Sequence, residues 1–224
     1  RSMREVILDT ETTGLDPTGG DRIVEIGCVE LNNHVVTGET YHQYINPERG
    51  MPEEAEKIHG LSEEFLSEKP VMAEAIDGFL EFIGDSPLII HNSEFDMRFI
   101  NAELRLLGKS LLETTRAVDT VKLARQKFPG APASLDALCK RFNIDTSSRS
   151  QHGALVDAKL LSKVYLELIG KRQPKLQLTS NDQFGGATED KKQSYDPRPH
   201  NVPAEELTAH KAFLEKLKNP IWSS

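Results

Sequence analysis

A short apolar run that ends in two carboxylates constrains this chain more than any other feature. Residues 6–8 are typical of a buried strand, and Asp9 and Glu11 follow them directly. Side chains alternate between the two faces of a strand, so Asp9 and Glu11 point the same way. Two neighbouring negative charges repel unless a cation neutralises them, and carboxylate oxygens suit Mg²⁺ or Mn²⁺. The alternative is a strand that runs into an acidic, solvated loop.

The spacing of apolar residues predicts an α/β protein. Three strands come first and should form an antiparallel meander, after which strands and helices alternate. This order implies a mixed sheet of about five strands flanked by helices. The predicted strands lie at 6–8, 22–31, 35–45, 88–90 and 117–118, and the predicted helices at 52–58, 72–83, 94–107, 120–128, from Ser134 onward, and 154–169.

Two later stretches carry further acids. Asp96 falls in the first turn of the helix after strand 88–90, where a carboxylate can also serve as a helix-dipole partner. Asp157 falls among apolar helix positions, where an unpaired charge is costly, so it should pair with a cation. His152 precedes Asp157 by five residues, which on a continuous helix is about 140° around the axis. That angle favours His152 as a base over His152 as a metal ligand.

Taken together, three segments resemble the exonuclease motifs of the DEDDh 3′-to-5′ exonucleases. The resemblance extends from Glu5 to about Ile169. It is closest to the proofreading exonucleases of bacterial replicative DNA polymerases, and it implies a ribonuclease H-like fold. The three segments, in order, are Asp9-Thr10-Glu11-Thr12-Thr13-Gly14, His91-Asn92-x-x-Phe95-Asp96 and His152-Gly153-Ala154-x-x-Asp157.

The resemblance also implies a role for each residue. Two divalent ions, Mg²⁺ or Mn²⁺, would be held by Asp9, Glu11, Asp96 and Asp157. His152 would be the general base that takes a proton from the attacking water near neutral pH. Glu54 and His59 match positions that contact the terminal nucleotide in this family, although the same letters are also an ordinary helix pattern. The substrate-binding set is then Asp9, Glu11, Glu54, His59 and Asp157.

The amino-acid composition of the chain changes after the last predicted helix. Residues 3–170 are expected to form the exonuclease domain, residues 171–201 a flexible polar linker, and residues 202–224 an amphipathic helical tail. The tail resembles the segment by which the proofreading exonucleases bind the polymerase subunit. Within the linker, Gln173, Leu176 and Leu178 resemble a sliding-clamp-binding peptide, with plain linker as the alternative.

Composition limits the partners and the compartment. The net charge of −8 argues against gripping DNA 3′ ends by bulk electrostatics, whereas a nuclease carried by a polymerase and clamp need not bind tightly itself. No apolar run is long enough to span a membrane and no signal peptide opens the chain, so a cytoplasmic protein of the bacterial replisome, at the nucleoid, is expected. Cys28 and Cys139 sit in apolar patterns typical of buried, reduced thiols.

Three other functions remain open at this stage. A free-standing nuclease of the same family that trims RNA or other single-stranded ends would share every catalytic residue, although the linker and tail argue against it. Phosphatases with an aspartyl nucleophile also place Asp after a strand, but they would leave His152 and Asp157 unexplained. A nuclease fold kept only for docking is disfavoured by the complete set of acids.

Overall fold

A central strand organises the computed structural model, which describes residues 3–170. β1 (Arg4–Thr12) is apolar on both faces, and Val6, Ile7 and Leu8 are fully buried, so helices must cover both sides of the sheet. β2 (Ile23–Asn32) and β3 (Val35–Tyr44) complete the predicted antiparallel meander, while β4 (Leu88–Ile90) and β5 (Ala117–Asp119) run parallel to β1. The strand order β3-β2-β1-β4-β5 confirms the mixed five-stranded sheet.

Seven α-helices accompany the sheet within the described residues. All six helices that the sequence predicted within residues 3–170 are present, and α2 is an addition that the sequence interpretation missed. Ser62 accepts a hydrogen bond from the backbone N–H of Phe65 and so caps α2. The helices are α1 (Glu53–His59), α2 (Glu63–Ser67), α3 (Met72–Ile83), α4 (Ser93–Leu106), α5 (Thr120–Lys127), α6 (Leu135–Arg141) and α7 (Ala154–Leu168).

The alternation along β1 separates two apolar cores. Val6 and Leu8 pack with residues of α3 and α4, whereas Ile7 packs with residues of α7. Because alternate residues share a face, Asp9 and Glu11 continue the side of Ile7 and point toward α7. The fold therefore aims both carboxylates at the helix that carries the last predicted acid.

Some of the other predictions concern residues that the structure describes, and some do not. Cys28 and Cys139 are buried free thiols, as predicted. The linker at 171–201, its peptide with Gln173, Leu176 and Leu178, and the tail at 202–224 lie outside the described residues and stay predictions. Over residues 3–170, every helix is too short or too polar to cross a lipid bilayer.

We expect Gly27→Ala to destabilise the protein by about 1–3 kcal/mol, because added volume in a packed core forces the backbone apart. A Cβ atom at position 27 of β2 would lie 2.3 Å from the carbonyl carbon of Ala154 at the start of α7. Gly78→Ala is the matched control, since its Cβ would meet nothing closer than 3.7 Å and alanine favours the interior of α3. Urea unfolding measures both; equal stability of the two variants would contradict the close approach of β2 and α7.

Candidate active site

The parallel pairing of β1 with β4 brings Asp96 to the acids of β1. Leu8 lies opposite Ile90, so the chain leaves β4 beside Asp9 and turns directly into α4. Asn92 makes this turn in the left-handed conformation (φ 64°), which asparagine tolerates better than most residues. Asp96, in the first turn of α4, is buried and accepts a 2.7 Å hydrogen bond from the Thr10 hydroxyl. The sequence prediction for Asp96 did not include this contact.

A buried carboxylate on β2 fixes the start of α7. Glu25 accepts a 3.0 Å hydrogen bond from the backbone N–H of Ala154, and its other oxygen lies 2.7 Å from Nε2 of His42. It also lies opposite Glu11 in the strand pairing. A carboxylate at a helix N-terminus is favourable, so Glu25 holds α7, and with it Asp157, against the sheet. Sequence reasoning missed Glu25 because the contact spans 129 residues.

His152 lies just before α7 and not on it, so the angle expected from a continuous helix is wrong. Gly153 is extended (φ −151°, ψ 133°) and α7 begins at Ala154. This bend brings Nδ1 of His152 to 3.3 Å from Oδ2 of Asp157. Ligand atoms of Glu11, His152 and Asp157 all lie within 4.8 Å of one another. The structure thus brings His152 into the acid cluster, at a position where a base or a metal ligand could act.

Arg149 supplies the cation that Asp157 was expected to need. Its Nη2 donates to Oδ2 of Asp157 at 2.7 Å and lies 2.7 Å from Nδ1 of His152. Its other terminal nitrogen donates to Asp136 on α6. The carboxylate of Asp157 and the imidazole of His152 therefore share one guanidinium nitrogen as a neighbour. Arg149 lies in an irregular polar stretch, and nothing in its sequence neighbourhood marked it.

The electrostatics of the cluster reflect several acids in one place. Burial, followed by the charges of Asp96, Glu11 and Asp157, raises the pKa of Asp9 well above its usual value. Burial, and then Asp157, raises the pKa of Glu11 to about 8. The pKa of Asp96 rises to about 7, chiefly through burial, although the Thr10 hydrogen bond opposes this rise. Crowded carboxyls with raised pKa values are typical of functional sites.

These residues fit divalent metal ions. The donors are carboxylate oxygens, which Mg²⁺ and Mn²⁺ prefer. Oδ1 of Asp157 is buried without a hydrogen-bond partner, so its lone pairs are available to an ion. Burial first, and then the charges of neighbouring carboxylates, raise the pKa values of Asp9, Glu11 and Asp96, and a bound cation would favour their ionised forms. The residues that would hold the ions are Asp9, Glu11, Asp96 and Asp157.

The two predicted nucleotide-binding residues of α1 differ in their surroundings. Glu54 is exposed and has no polar partner among residues 3–170. His59 is buried, its Nδ1 accepts from the backbone N–H of Leu61, and its Nε2 lies 3.2 Å from the carbonyl oxygen of Thr12. Burial lowers the pKa of His59, which favours its neutral form. His59 therefore ties α1 to the end of β1, while Glu54 is free to meet a ligand.

Below saturating metal, we expect the cluster to make stability depend on pH. A carboxyl with a raised folded-state pKa contributes stability that is fully present below its unfolded pKa, near 4.5 for Glu11, and lost as pH rises through about 8. In chelator, Glu11→Gln should match the parent near pH 5 and exceed its stability near pH 8. Urea midpoints measured across this range test the effect. A parent–variant difference independent of pH would contradict it.

Solved structures share this architecture. Exonuclease X in complex with 5′-overhanging duplex DNA superposes with a TM-score of 0.58 at 26% identity, covering 74% of this chain and 90% of that one. The nuclease domain of 3′hExo, a DEDDh family member bound to rAMP, superposes with a TM-score of 0.64 at 18% identity, covering 75% and 92%. A mixed sheet of this order with acids on its central strand defines the class of ribonuclease H-like exonucleases.

Sequence relatives show to which family within this class the chain belongs. DNA polymerase III subunit epsilon of Rickettsia felis is 51% identical, with 96% of this chain and 97% of that protein aligned. The Escherichia coli subunit of the same name is 39% identical, covering 96% and 93%. The Exonuclease (RNase_T) family model matches residues 6–165. The chain belongs to this exonuclease family and, within it, to the DNA polymerase III epsilon subunits. It is thus a 3′-to-5′ exonuclease, of a family that generally uses divalent metal ions.

Proposed function

We propose that the chain removes mismatched terminal nucleotides from DNA 3′ ends as the proofreading subunit of a replicative DNA polymerase III. The observation that carries the proposal is the convergence of Asp9, Glu11, Asp96 and Asp157 with His152 at one end of β1. Near-complete alignment with relatives named DNA polymerase III subunit epsilon supports the replicative assignment.

The chemistry follows from the side chains. Two ions, Mg²⁺ or Mn²⁺, held by the four acids would supply relief of negative charge on the scissile phosphate and on the leaving 3′ oxygen. His152, on the exposed side of the cluster, accepts the proton of the attacking water. In the described structure the guanidinium of Arg149 lies 2.7 Å from Nδ1 of His152. The terminal nucleotide is bound by Asp9, Glu11, Glu54 and Asp157, and His59 supports this binding by holding α1 at the end of β1.

The proposal includes two protein partners, a polymerase subunit and a sliding clamp. Residues 202–224 bind the alpha subunit of DNA polymerase III, and Gln173, Leu176 and Leu178 contact the sliding clamp. Attachment to these partners keeps the nuclease close to the primer end and raises its effective concentration there. A chain with a net charge of −8 then needs little affinity of its own for DNA. The protein works in the cytoplasm, at the nucleoid.

Degradation of 5′-labelled primers tests the activity. With Mg²⁺ or Mn²⁺, the products should shorten stepwise from the 3′ end, faster on mismatched or single-stranded ends than on matched ones, because a frayed end costs less to unpair. Chelator should stop the reaction. Trimming of RNA with intact DNA would overturn the replicative assignment, and no cleavage of either by folded, metal-loaded protein would support the docking alternative.

Gel filtration with the alpha subunit, with and without residues 202–224, tests the partner.

A further inference from the structure

A cleft of about 760 Å³ lies along α4, outside the acid cluster. It begins at Ser93 and Glu94, in the same helical turn as Asp96, and reaches Arg105 near the end of the helix. Twelve residues of helix span about 18 Å. The phosphates of one strand are about 3.4 Å apart along the axis of a stacked duplex and farther apart in an extended single strand. The cleft is therefore long enough for several nucleotides of a single strand.

The cleft collects positive charge on an acidic protein. Arg98 and Arg105 project from α4 and Lys122 from α5, and all three are exposed. Arg98 makes only a loose 3.8 Å pair with the exposed Asp16, and no carboxylate of residues 3–170 pairs with Arg105 or Lys122. Solvent-exposed pairs of this kind contribute little energy, so Arg98 too remains available.

Two acids and three cations are present in the described lining of the cleft, which therefore keeps a net positive charge. One oxygen of Asp119 accepts from the backbone N–H groups of Asn92 and Val121, and the carboxylate keeps its charge. Glu94, the other acid, lies in the first turn of α4, at one end of the cleft. The long interior of the cleft therefore offers free cations to a ligand.

The arrangement of these cations fits a phosphodiester backbone. Arg98 and Arg105 are two helical turns apart, which places them on one stripe about 10.5 Å apart along the axis. Thr114 and Thr115 add hydroxyl groups to the opposite wall. Among residues 3–170, no aromatic side chain lines the cleft, so these residues offer contacts to phosphates and not stacking platforms for bases. Recognition of this kind is independent of sequence.

We propose that this cleft binds the backbone of single-stranded DNA several nucleotides upstream of the 3′ terminus. The proposal rests on the proposed function and adds a second contact region for the same strand. It explains how an acidic nuclease keeps a frayed strand aligned while successive terminal nucleotides enter the acid cluster. Each released nucleotide would leave the upstream phosphates free to move by one position along α4.

Binding of oligonucleotides of two lengths tests the cleft. The full chain is titrated, in chelator, into labelled dT3 and dT12 and followed by fluorescence anisotropy. The parent should bind dT12 more tightly than dT3, and the double variant Arg105→Ala/Lys122→Ala should lose about tenfold of that advantage, with a salt slope shallower by about 1.4 for two lost phosphate contacts. The double variant Lys140→Ala/Lys163→Ala, which removes two exposed cations outside the cleft, is the matched control and should behave as the parent does.

The outcomes separate the cleft from the catalytic assignment. Equal losses in the two double variants, or equal losses for dT3 and dT12, would overturn the cleft as a strand-binding site. A loss confined to blunt duplex DNA would overturn the single-stranded assignment. If the parent binds dT12 through the cleft but never shortens it with Mg²⁺, the cleft stands and the proposed function fails. If the parent shortens dT12 and both double variants bind dT12 as tightly as the parent does, the cleft proposal fails and the proposed function stands.

Discussion

Replacing His152 with alanine should slow nucleotide removal by about 10²–10⁴-fold, the usual contribution of a general base. His152 is the exposed member of the cluster, with Nδ1 3.3 Å from Oδ2 of Asp157, so water reaches it more readily than the buried acids. Single-turnover cleavage of a 5′-labelled oligonucleotide measures the chemical step. Calorimetric titration with Mn²⁺ should show that the variant still binds metal, because the four carboxylates remain.

Ser150→Ala is the control for this substitution. Ser150 is exposed in the same loop and has no polar partner among residues 3–170, so its removal tests whether any change in the loop slows the reaction. A rate for His152→Ala within about twofold of the parent would remove the histidine from the mechanism. A loss of metal binding in step with the rate would instead make His152 a ligand, which its distance to Glu11 and Asp157 also permits.

The second large effect is expected for Asp9→Asn, which should abolish activity while stabilising the metal-free protein. Loss of a metal ligand costs several kcal/mol of transition-state stabilisation, or about 10³-fold and more in rate. Burial, and then the charges of neighbouring acids, raise the pKa of Asp9, so the same change removes a carboxyl whose ionised form is costly in the folded protein. Each kcal/mol of relief should raise the melting temperature by about 3 °C in a domain of this size.

Thermal unfolding with chelator and with Mg²⁺ checks both parts. Metal should raise the melting temperature of the parent, because it binds only the folded state, and should raise that of Asp9→Asn much less. Asp77→Asn is the control, since Asp77 is exposed and its pair with Lys109 lies on the surface of α3. A metal-free Asp9→Asn protein that melts below the parent would contradict the repulsion inferred here.

Local patterns in the sequence were sufficient for most of the fold. The apolar stripe of α3 predicted residues 72–83, and the helix spans Met72–Ile83. Ser134 caps α6 as expected, through a hydrogen bond from the N–H of Ala137. The short helix α2 was missed although Ser62 followed by two glutamates is an N-terminal signal, because five residues are too few to show a helical period.

Contacts between distant segments explain what the sequence left out of the site. The alternation of side chains along a strand predicted that Asp9 and Glu11 lie on one face. No local pattern predicts the hydrogen bonds of Glu25 with the N-terminus of α7 or of Thr10 with Asp96. These partners lie 129 and 86 residues apart. The expected angle between His152 and Asp157 was wrong for a local reason, since the backbone at Gly153 is extended and the helix begins only at Ala154. The roles of the site residues stay predictions until tested.

The acids and the base are attached to parts of the molecule that differ in how readily they open. Asp9 and Glu11 belong to a strand paired on both sides, whereas His152 follows an irregular, largely exposed stretch with few backbone hydrogen bonds. Segments of the second kind open at a free-energy cost well below that of global unfolding. On warming, the enzyme should therefore lose turnover before the sheet melts and recover it on cooling, with amides of residues 147–152 exchanging hydrogen long before those of β1.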